Sequence, residues 1–411
     1  MTTRTFDPDE PVALYPLTYL EQDNEVTVGR ADIDSYGMFP ADGAALLRRL
    51  EAGASPNEAA RWYTDTYHEA VDIVEFLDVL TEFDFLVRDG EVITAPRPLR
   101  WQRLGRTLFS PVAWICYGIV VAAAGLAMIR DTDLVPSYQH IFFTSSLVVV
   151  TLGIFFGQVP WVFLHEAYHA LAGRRLGLRS TLGVGRRFYY IVFETSLDGL
   201  VSVPRRKRYL PMLAGIVADV VAIAVLTLGA AAMQSVSGPL VVIPRFLLAM
   251  AFGVVLRVAW QSFFFLRTDL YYLVTTVLGC NDLQTVARGL LRNRVSRVLP
   301  WFGNTADESS WHPRDRAVAR WYVWLMVAGY VLLLGTVAFV ALPAAIEFTR
   351  LTLEKMIGYP TPISLLDGAG FLVLNFWEPV LAAWLAIRSY RRRRTAGSFP
   401  VSIEHQPRKV L

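Results

Sequence analysis

Three residues near the middle of the chain have the types and the spacing of a zinc site. The segment Trp161-Val-Phe-Leu-His165-Glu166-Ala-Tyr-His169 contains the pattern H-E-x-x-H inside an apolar stretch. A spacing of four places both imidazoles on one face of a helix, where nitrogen ligands at about 2.0–2.1 Å from zinc leave one position for water. Glu166 lies beside that position and is the expected general base.

The apolar setting adds to the significance of this pattern. Ionisable residues at the end of a membrane span are costly, which favours a functional role for them. The alternative is an ordinary helix end at the membrane surface, where the same side chains only form hydrogen bonds. We predict His165 and His169 as metal ligands, Glu166 as the catalytic residue and Zn²⁺ as the cofactor.

Composition indicates a membrane protein. Of 411 residues, 54% are hydrophobic and 18% are charged, and the mean hydropathy is +0.38. This is more apolar surface than one soluble core can bury, so the lipid bilayer is an expected partner. The formal charge of +3 is small, and no basic stripe is present, so we do not expect nucleic acid as a partner.

Apolar runs and basic segments predict a polytopic, mainly α-helical protein. Basic clusters precede the first run, separate the second from the third, and follow the sixth. Under the positive-inside rule these clusters are cytoplasmic, so both termini are expected inside a cell membrane. Runs long enough to span a bilayer predict about six transmembrane helices, at 111–129, 142–164, 209–233, 246–266, 321–343 and 369–387.

The first 95 residues have a soluble composition and predict a small winged-helix-like α+β domain. Alternation of apolar and polar residues at 25–29 predicts a strand, and residues 39–43 predict a turn in which Asp42 caps the next helix. Ser55 and Glu58 predict a capping box. Helices are predicted at 44–51, from Pro56 onward and at 69–82, and a hairpin wing at 83–87 and 91–94. A basic linker at 96–110, a membrane domain at 111–390 and a basic cytoplasmic tail at 391–411 complete the predicted organisation.

This order of elements over about 70 residues resembles the peptide-recognition domain typified by the pyrroloquinoline-quinone chaperone PqqD. The resemblance implies that a leader peptide adds to the sheet edge and lies against the third helix, since strand addition uses exposed backbone groups. The alternatives are a DNA-binding winged helix or a structural cap. Glu58 and Asp65 make the second helix too acidic for DNA.

A third metal ligand is needed, and the charge-based topology ranks the acidic residues. The metal lies at the cytoplasmic end of the second span, so Asp367, at the outer end of the sixth, is excluded. Asp198 lies in a predicted polar loop that gives little rigidity. Asp269 lies at the inner end of the fourth span and is the first choice, although a helix cap or a partner for Arg267 is the alternative reading. The acidic candidates were Asp198, Asp219, Asp269, Asp282 and Asp367.

Residues 145–290 resemble the site-2-protease-like intramembrane zinc metallopeptidases, of the bacterial peptide zinc metalloprotease type. The likeness implies a membrane-edge β-region at 188–193, a helix of the A-G-P-x-x-N type at 214–219, and a ligand aspartate at Asp269. The chain departs from the pattern, since Ile216 replaces the proline and Leu270 the glycine that follows the aspartate. Asp219 therefore stays open as the ligand or as a hydrogen-bond partner of a ligand histidine.

Together these patterns predict a membrane-embedded zinc metalloprotease. It would hydrolyse a peptide bond of a precursor peptide or membrane-protein substrate near the cytoplasmic face. The alternative is a non-hydrolytic membrane scaffold, export or immunity component for a modified peptide, with a structural or vestigial metal site. A scaffold does not need Glu166 beside the ligands, so the effect of Glu166→Gln separates the two classes.

Overall fold

The computed structural model describes residues 7–22, 25–87, 99–187, 190–237, 241–280, 282–298, 306–309, 311–358 and 361–395. This part of the chain is mostly helical, with a small N-terminal sheet domain. The chain divides into two compact units. The first contains Met1–Ala113, Glu166–Gly183 and Glu194–Pro211, and the second contains Trp114–His165, Val184–Phe193 and Met212–Leu411.

The N-terminal domain begins with a three-stranded antiparallel sheet in the order β1-β2-β3. The predicted strand at 25–29 is confirmed as β2, in which the alternating residues Val26 and Val28 are buried. They pack with apolar residues of the three following helices in one core. The elements are β1 (Thr18–Gln22), β2 (Glu25–Arg30), β3 (Ser35–Pro40), α1 (Ala41–Glu51), α2 (Pro56–Tyr67) and α3 (Ile73–Glu82).

The capping box at the start of α2 is confirmed. The Ser55 hydroxyl accepts from the backbone N–H of Glu58 at 3.3 Å, and the Glu58 carboxylate accepts from the backbone N–H of Ser55 at 3.2 Å. The predicted turn at 39–43 is wrong, because α1 begins at Ala41 directly after β3. Pro40 is the N-cap residue, whereas Asp42 lies in the first turn and accepts a hydrogen bond from Tyr63.

The third helix is shorter than predicted. Residues 69–72 are not helical, because His68 takes a left-handed conformation (φ 59°) that ends α2. The Asp72 carboxylate then caps α3 by accepting from the backbone N–H groups of Val74 and Glu75, at 3.0 and 3.1 Å.

The segment after α3 pairs with the start of the chain. Phe85 accepts from the backbone N–H of Tyr15 at 3.0 Å, and the N–H of Val87 donates to Ala13 at 2.9 Å. The predicted wing strand at 83–87 is wrong, because residues 83 and 84 form a turn and Leu86 makes an isolated bridge with Leu14. The second predicted wing strand, at 91–94, lies outside the described residues.

Part of the predicted linker at 96–110 is helical, which corrects the prediction. Helix α4 (Gln102–Leu108) places Gly105 so close to the Leu171 carbonyl oxygen that an added Cβ would lie 2.3 Å from it. This packing is a tertiary contact, and the basic composition of the segment gave no sign of it.

Five helices in the described part of the chain are long and apolar enough to cross a membrane: α5, α6, α7, α8 and α11. A π-helical turn, Val337–Ala341, follows α11. The helices after α4 are α5 (Pro111–Arg130), α6 (Leu147–Arg175), α7 (Arg205–Ser237), α8 (Val242–Trp260), α9 (Asp269–Leu278), α10 (Leu283–Val298), α11 (Pro313–Thr336), α12 (Leu342–Gly358) and α13 (Pro362–Thr395).

Each of the first five predicted spans overlaps one of these helices, but some ends differ. The second helix continues to Arg175, and the fourth ends at Trp260 rather than at 266. A 3-10 turn at Phe264–Leu266 and a left-handed Arg267 interrupt the chain after the fourth helix. The predicted sixth span lies within α13, whose described apolar portion, Pro362–Trp377, is short. A count of six is therefore not confirmed.

A second sheet lies between α6 and α7 in the chain. It consists of β4 (Arg179–Arg187) and β5 (Tyr190–Asp198). The prediction of strand at 188–193 holds for the last four of these residues, and the first two lie outside the described residues. Asp198 is the last residue of β5, so its predicted place in a loop is wrong.

Candidate metal centre

Helix α6 carries both histidines of the H-E-x-x-H pattern. The helix runs without a break through this segment, so His165 and His169 lie one turn apart on one face, as their spacing predicts. Their exposed fractions are only 5% and 8%. Two nearly buried imidazoles in an apolar helix require polar partners.

Asp269 completes a group of three possible ligands. It is the first residue of α9, and its Oδ2 lies 3.2 Å from Nε2 of His165. One ligand atom from each of His165, His169 and Asp269 lies within 4.8 Å of the other two. Among the residues that the structure describes, this is the one group of three such side chains close enough to share a metal ion.

The donor set fits zinc. Zinc takes imidazole nitrogen and carboxylate oxygen at about 2.0–2.2 Å in a tetrahedral arrangement, which places ligand atoms about 3.3 Å apart. The separation of 3.2 Å between His165 Nε2 and Asp269 Oδ2 agrees with that geometry. Three protein ligands also leave the fourth position for water or substrate, as hydrolytic zinc sites do.

Hydrogen bonds on the other ring nitrogens orient both histidines. Nδ1 of His169 lies 2.7 Å from the carbonyl oxygen of Pro211, and Nδ1 of His165 lies 2.9 Å from Oδ2 of Asp219. Because a carbonyl oxygen can only accept, Nδ1 of His169 must donate, and the neutral ring then carries its lone pair on Nε2. Such partners are typical of metal-binding histidines.

Asp219 occupies a different place from Asp269. It lies in α7, is only 1% exposed, and contacts Nδ1 of His165, whereas Asp269 contacts Nε2 of the same ring. Arg257 of α8 donates to both of its oxygens, from Nε to Oδ2 at 3.1 Å and from Nη2 to Oδ1. Asp219 thus lies on the Nδ1 side of the His165 imidazole, whereas Asp269 lies on its Nε2 side.

Asp269 is held by a neutral side chain. The amide nitrogen of Gln261 donates to Asp269 Oδ2, and the amide oxygen of Gln261 accepts from the backbone N–H of Asp269, both at 3.0 Å. Arg267, which the sequence offered as an alternative partner, instead contacts Gln284 at 3.0 Å and Asp282 at 3.6 Å.

Asp367 is remote from the histidines, in agreement with its exclusion on topology. Its carboxylate accepts from the Ser146 hydroxyl at 2.5 Å and from the backbone N–H groups of Leu147 and Val148 at 3.0 and 3.1 Å. It therefore caps the first turn of α6, about 27 Å along the helix from His165 at 1.5 Å per residue.

Glu166 follows His165 directly in α6. Its backbone carbonyl oxygen accepts from the Thr195 hydroxyl of β5 at 3.0 Å, which ties this turn of α6 to the second sheet. The carboxylate is therefore carried by a helical turn that this hydrogen bond restrains, next to His165, the first candidate ligand in the chain. The position is that expected of a general base in this pattern.

Sequence reasoning missed Arg257, Gln261 and the Pro211 carbonyl. A backbone carbonyl has no sequence signal. Arg257, however, is a cation within the apolar part of one helix, and Asp219 is an anion within the apolar part of another. Opposite charges inside two helices that are long and apolar enough to span a membrane indicate a buried pair, and the sequence contains this signal.

No protein-family model, curated protein or solved structure matches this chain.

Proposed function

We propose that the chain is a membrane-embedded zinc metalloprotease that hydrolyses a peptide bond of a precursor peptide or membrane-protein substrate. The observation that carries the proposal is the convergence of ligand atoms from His165, His169 and Asp269, with Glu166 directly after His165 in the chain. These three ligands would hold zinc. When bound, zinc supplies the Lewis acidity that makes water acidic enough to act as a nucleophile near neutral pH.

Glu166 moves the proton during hydrolysis. Its carboxylate accepts a proton from the attacking water while the hydroxide oxygen forms a bond to the carbonyl carbon of the substrate. The protonated carboxyl group then gives that proton to the leaving amine nitrogen as the C–N bond breaks, which restores the carboxylate. General acid–base catalysis of this kind contributes about 10²–10⁴-fold to the rate.

The charge pattern supports a position near the cytoplasmic face. Arg174 and Arg175 end α6 one turn beyond His169, and further basic residues begin α7. The positive-inside rule places such clusters in the cytoplasm, and with them the metal centre and both termini. The substrate bond would then be cut close to the inner surface of a cell membrane.

The N-terminal domain would capture the substrate. Strand β3 is at the edge of its sheet, and a cleft beside it is lined by Met38, Phe76, Val79 and Phe83, among others. Met38 is 56% exposed. Among the described residues no further strand pairs with β3. A strand edge of this kind beside apolar side chains suits strand addition by an extended peptide, as the likeness to PqqD implies. Tethered capture raises the local concentration of the peptide.

The test combines metal content with hydrolysis. Full-length protein in detergent is analysed for zinc by mass spectrometry and incubated with a mixture of synthetic peptides, whose new termini are identified by mass spectrometry. We expect about one zinc per wild-type chain and none in His165→Ala or Asp269→Ala. Asp282→Ala is the matched control and should keep its zinc, because Asp282 contacts Arg267 rather than the histidines.

Glu166→Gln separates enzyme from scaffold. This variant should keep its zinc, because Glu166 is not a ligand, but lose hydrolysis by at least about 10²-fold. A wild-type chain that binds no zinc after loading, or a Glu166→Gln variant that cuts peptides as fast as the wild type, would contradict the proposal. The scaffold class would then be the better account.

A further inference from the structure

The C-terminal end of α8 and its C-cap residue contact the two carboxylates that flank His165. Arg257 binds Asp219, and Gln261, one turn later, binds Asp269. We propose that Arg257 and Gln261 are positioning residues that give the two aspartates different roles, with Asp219 as the orienting partner of His165 and Asp269 as the metal ligand. The inference rests on the proposed function, because it concerns the same metal centre.

Arg257 fixes Asp219 relative to α6. Its guanidinium donates to both oxygens of Asp219, and Nη2 also donates to the Trp161 carbonyl oxygen at 3.2 Å. Trp161 lies one turn before His165 in α6. A planar guanidinium fork matches a carboxylate in two places, so it restrains both position and rotation.

This restraint sets the hydrogen bond on His165. An ionised carboxylate can only accept, so Asp219 requires a donor at Nδ1 of His165 and leaves the lone pair of the neutral ring on Nε2. The guanidinium also supplies the countercharge that a carboxylate in an apolar helix needs. Asp219 bound in this way cannot turn towards the ligand group without losing Arg257.

Gln261 restrains Asp269 without neutralising it. Its amide forms two hydrogen bonds with Asp269, one to the carboxylate and one to the backbone N–H. The Thr268 hydroxyl donates to the backbone carbonyl oxygen of Gln261 at 2.7 Å, and this hydrogen bond restrains the loop between α8 and α9. Because an amide carries no charge, Gln261 restrains Asp269 without adding a countercharge of its own. The two side chains therefore act differently on the two aspartates: the cation Arg257 binds Asp219, and the neutral amide of Gln261 binds Asp269.

A purely structural role is the alternative, in which Arg257 and Asp219 only hold the helices together. Zinc affinity distinguishes the two roles. Full-length protein in detergent is titrated with zinc against a competing chelator dye. We expect Arg257→Met and Gln261→Leu to bind zinc about 10–100-fold more weakly than the wild type, the usual effect of removing a partner of a metal ligand. Arg245→Met, an exposed arginine of the same helix, is the matched control and should leave the affinity unchanged.

Arg257→Met leaves the buried Asp219 carboxylate without its arginine partner, so this single variant could lose zinc affinity by misfolding. A second variant controls for that effect. The double variant Asp219→Leu with Arg257→Met leaves no unpaired charge, so it should fold, and it should still bind zinc about 10–100-fold more weakly. Cobalt replaces zinc in a parallel titration, and its visible spectrum should lose its wild-type form in Gln261→Leu.

The outcomes separate the two proposals. Wild-type affinity in Gln261→Leu and in the double variant would overturn the positioning roles while leaving the protease proposal intact. A wild-type chain that binds no zinc would overturn both. Weaker zinc affinity in these variants, together with unchanged zinc affinity in Arg245→Met, would support the different roles proposed for the two aspartates.

Discussion

The backbone N–H of Gly199 donates a hydrogen bond of 2.7 Å to Oδ1 of Asp34. Asp34 lies in the turn between β2 and β3, and Gly199 directly follows β5. Gly199 has φ +80°, and an added Cβ would lie 2.5 Å from the hydroxyl oxygen of Tyr36. Glycine is therefore needed here both for backbone conformation and for space.

Gly199→Ala should destabilise the protein more than Gly177→Ala. Both glycines have positive φ, +80° and +86°, but nothing lies within 4 Å of a Cβ built on Gly177. Each substitution incurs a left-handed conformational cost of about 1–2 kcal/mol, and the crowding at Gly199 adds about 1–3 kcal/mol. Thermal unfolding of the two full-length variants measures the difference. Equal midpoints would show that Tyr36 moves aside without cost.

Asp367→Ala should lower stability without affecting the metal. The substitution removes the acceptor for the first N–H groups of α6, and the loss of such a cap costs about 0.5–2 kcal/mol. Asp367→Asn keeps one carbonyl oxygen and should lose less. Thermal unfolding and zinc content are measured on the same samples. Loss of zinc in Asp367→Ala would mean that this cap and the metal centre are coupled through α6.

Local patterns predicted local features well. The capping box at Ser55 and the four-residue spacing of His165 and His169 each involve residues within one turn, and both occur in the structure as expected. Strand β3 was not predicted, because its sequence contains Gly37 and Pro40, which are weak strand formers. Its pairing with β2 outweighs that local preference.

Contacts between distant segments could not be derived in the same way. Arg257 meets Asp219 across 38 residues and the Trp161 carbonyl across 96. Neither distance follows from periodicity. The expected depth of Asp269 in the membrane predicts it as a metal ligand. The partners that distinguish Asp269 from Asp219, however, depend on how α8 packs. The structure alone supplies that information.

Tyr63→Phe should remove a pH-dependent contribution to the stability of the N-terminal domain. The Tyr63 hydroxyl donates to the Asp42 carboxylate, which holds the pKa of Asp42 below its usual value and raises the pKa of Tyr63 to about 12. Because the pKa of Asp42 is lower in the folded state, its carboxylate stabilises the fold above the unfolded-state pKa of about 3.9. This stabilisation is lost as the pH falls through the folded-state pKa. The raised pKa makes Tyr63 stabilising below about pH 10, and this is lost as the pH rises towards about 12.

Hydrogen exchange of the full-length protein measures this contribution. At pH 7, peptides from α2 should be protected by about 1 kcal/mol more in the wild type than in Tyr63→Phe. The difference should shrink below about pH 4, after correction for intrinsic exchange rates. Tyr67→Phe, on the same helix, is the control and should show no such change. A difference that is constant with pH would contradict the assignment to the Asp42 carboxylate.

Removal of metal should destabilise the wild type but not His165→Ala. In the proposed metal centre, zinc binds the folded chain through residues that the fold brings together, so free zinc at 100 times its dissociation constant would add about 2.7 kcal/mol to the free energy of unfolding. Treatment with a strong zinc chelator should therefore lower the thermal midpoint of the wild type by a few degrees, and added zinc should restore it. His165→Ala lacks a ligand, so its midpoint should not respond to chelator or to zinc. An equal response in both proteins would mean that the chelator acts elsewhere on the chain. No response in a wild-type sample that carries zinc would show that the metal is not held by residues that folding brings together.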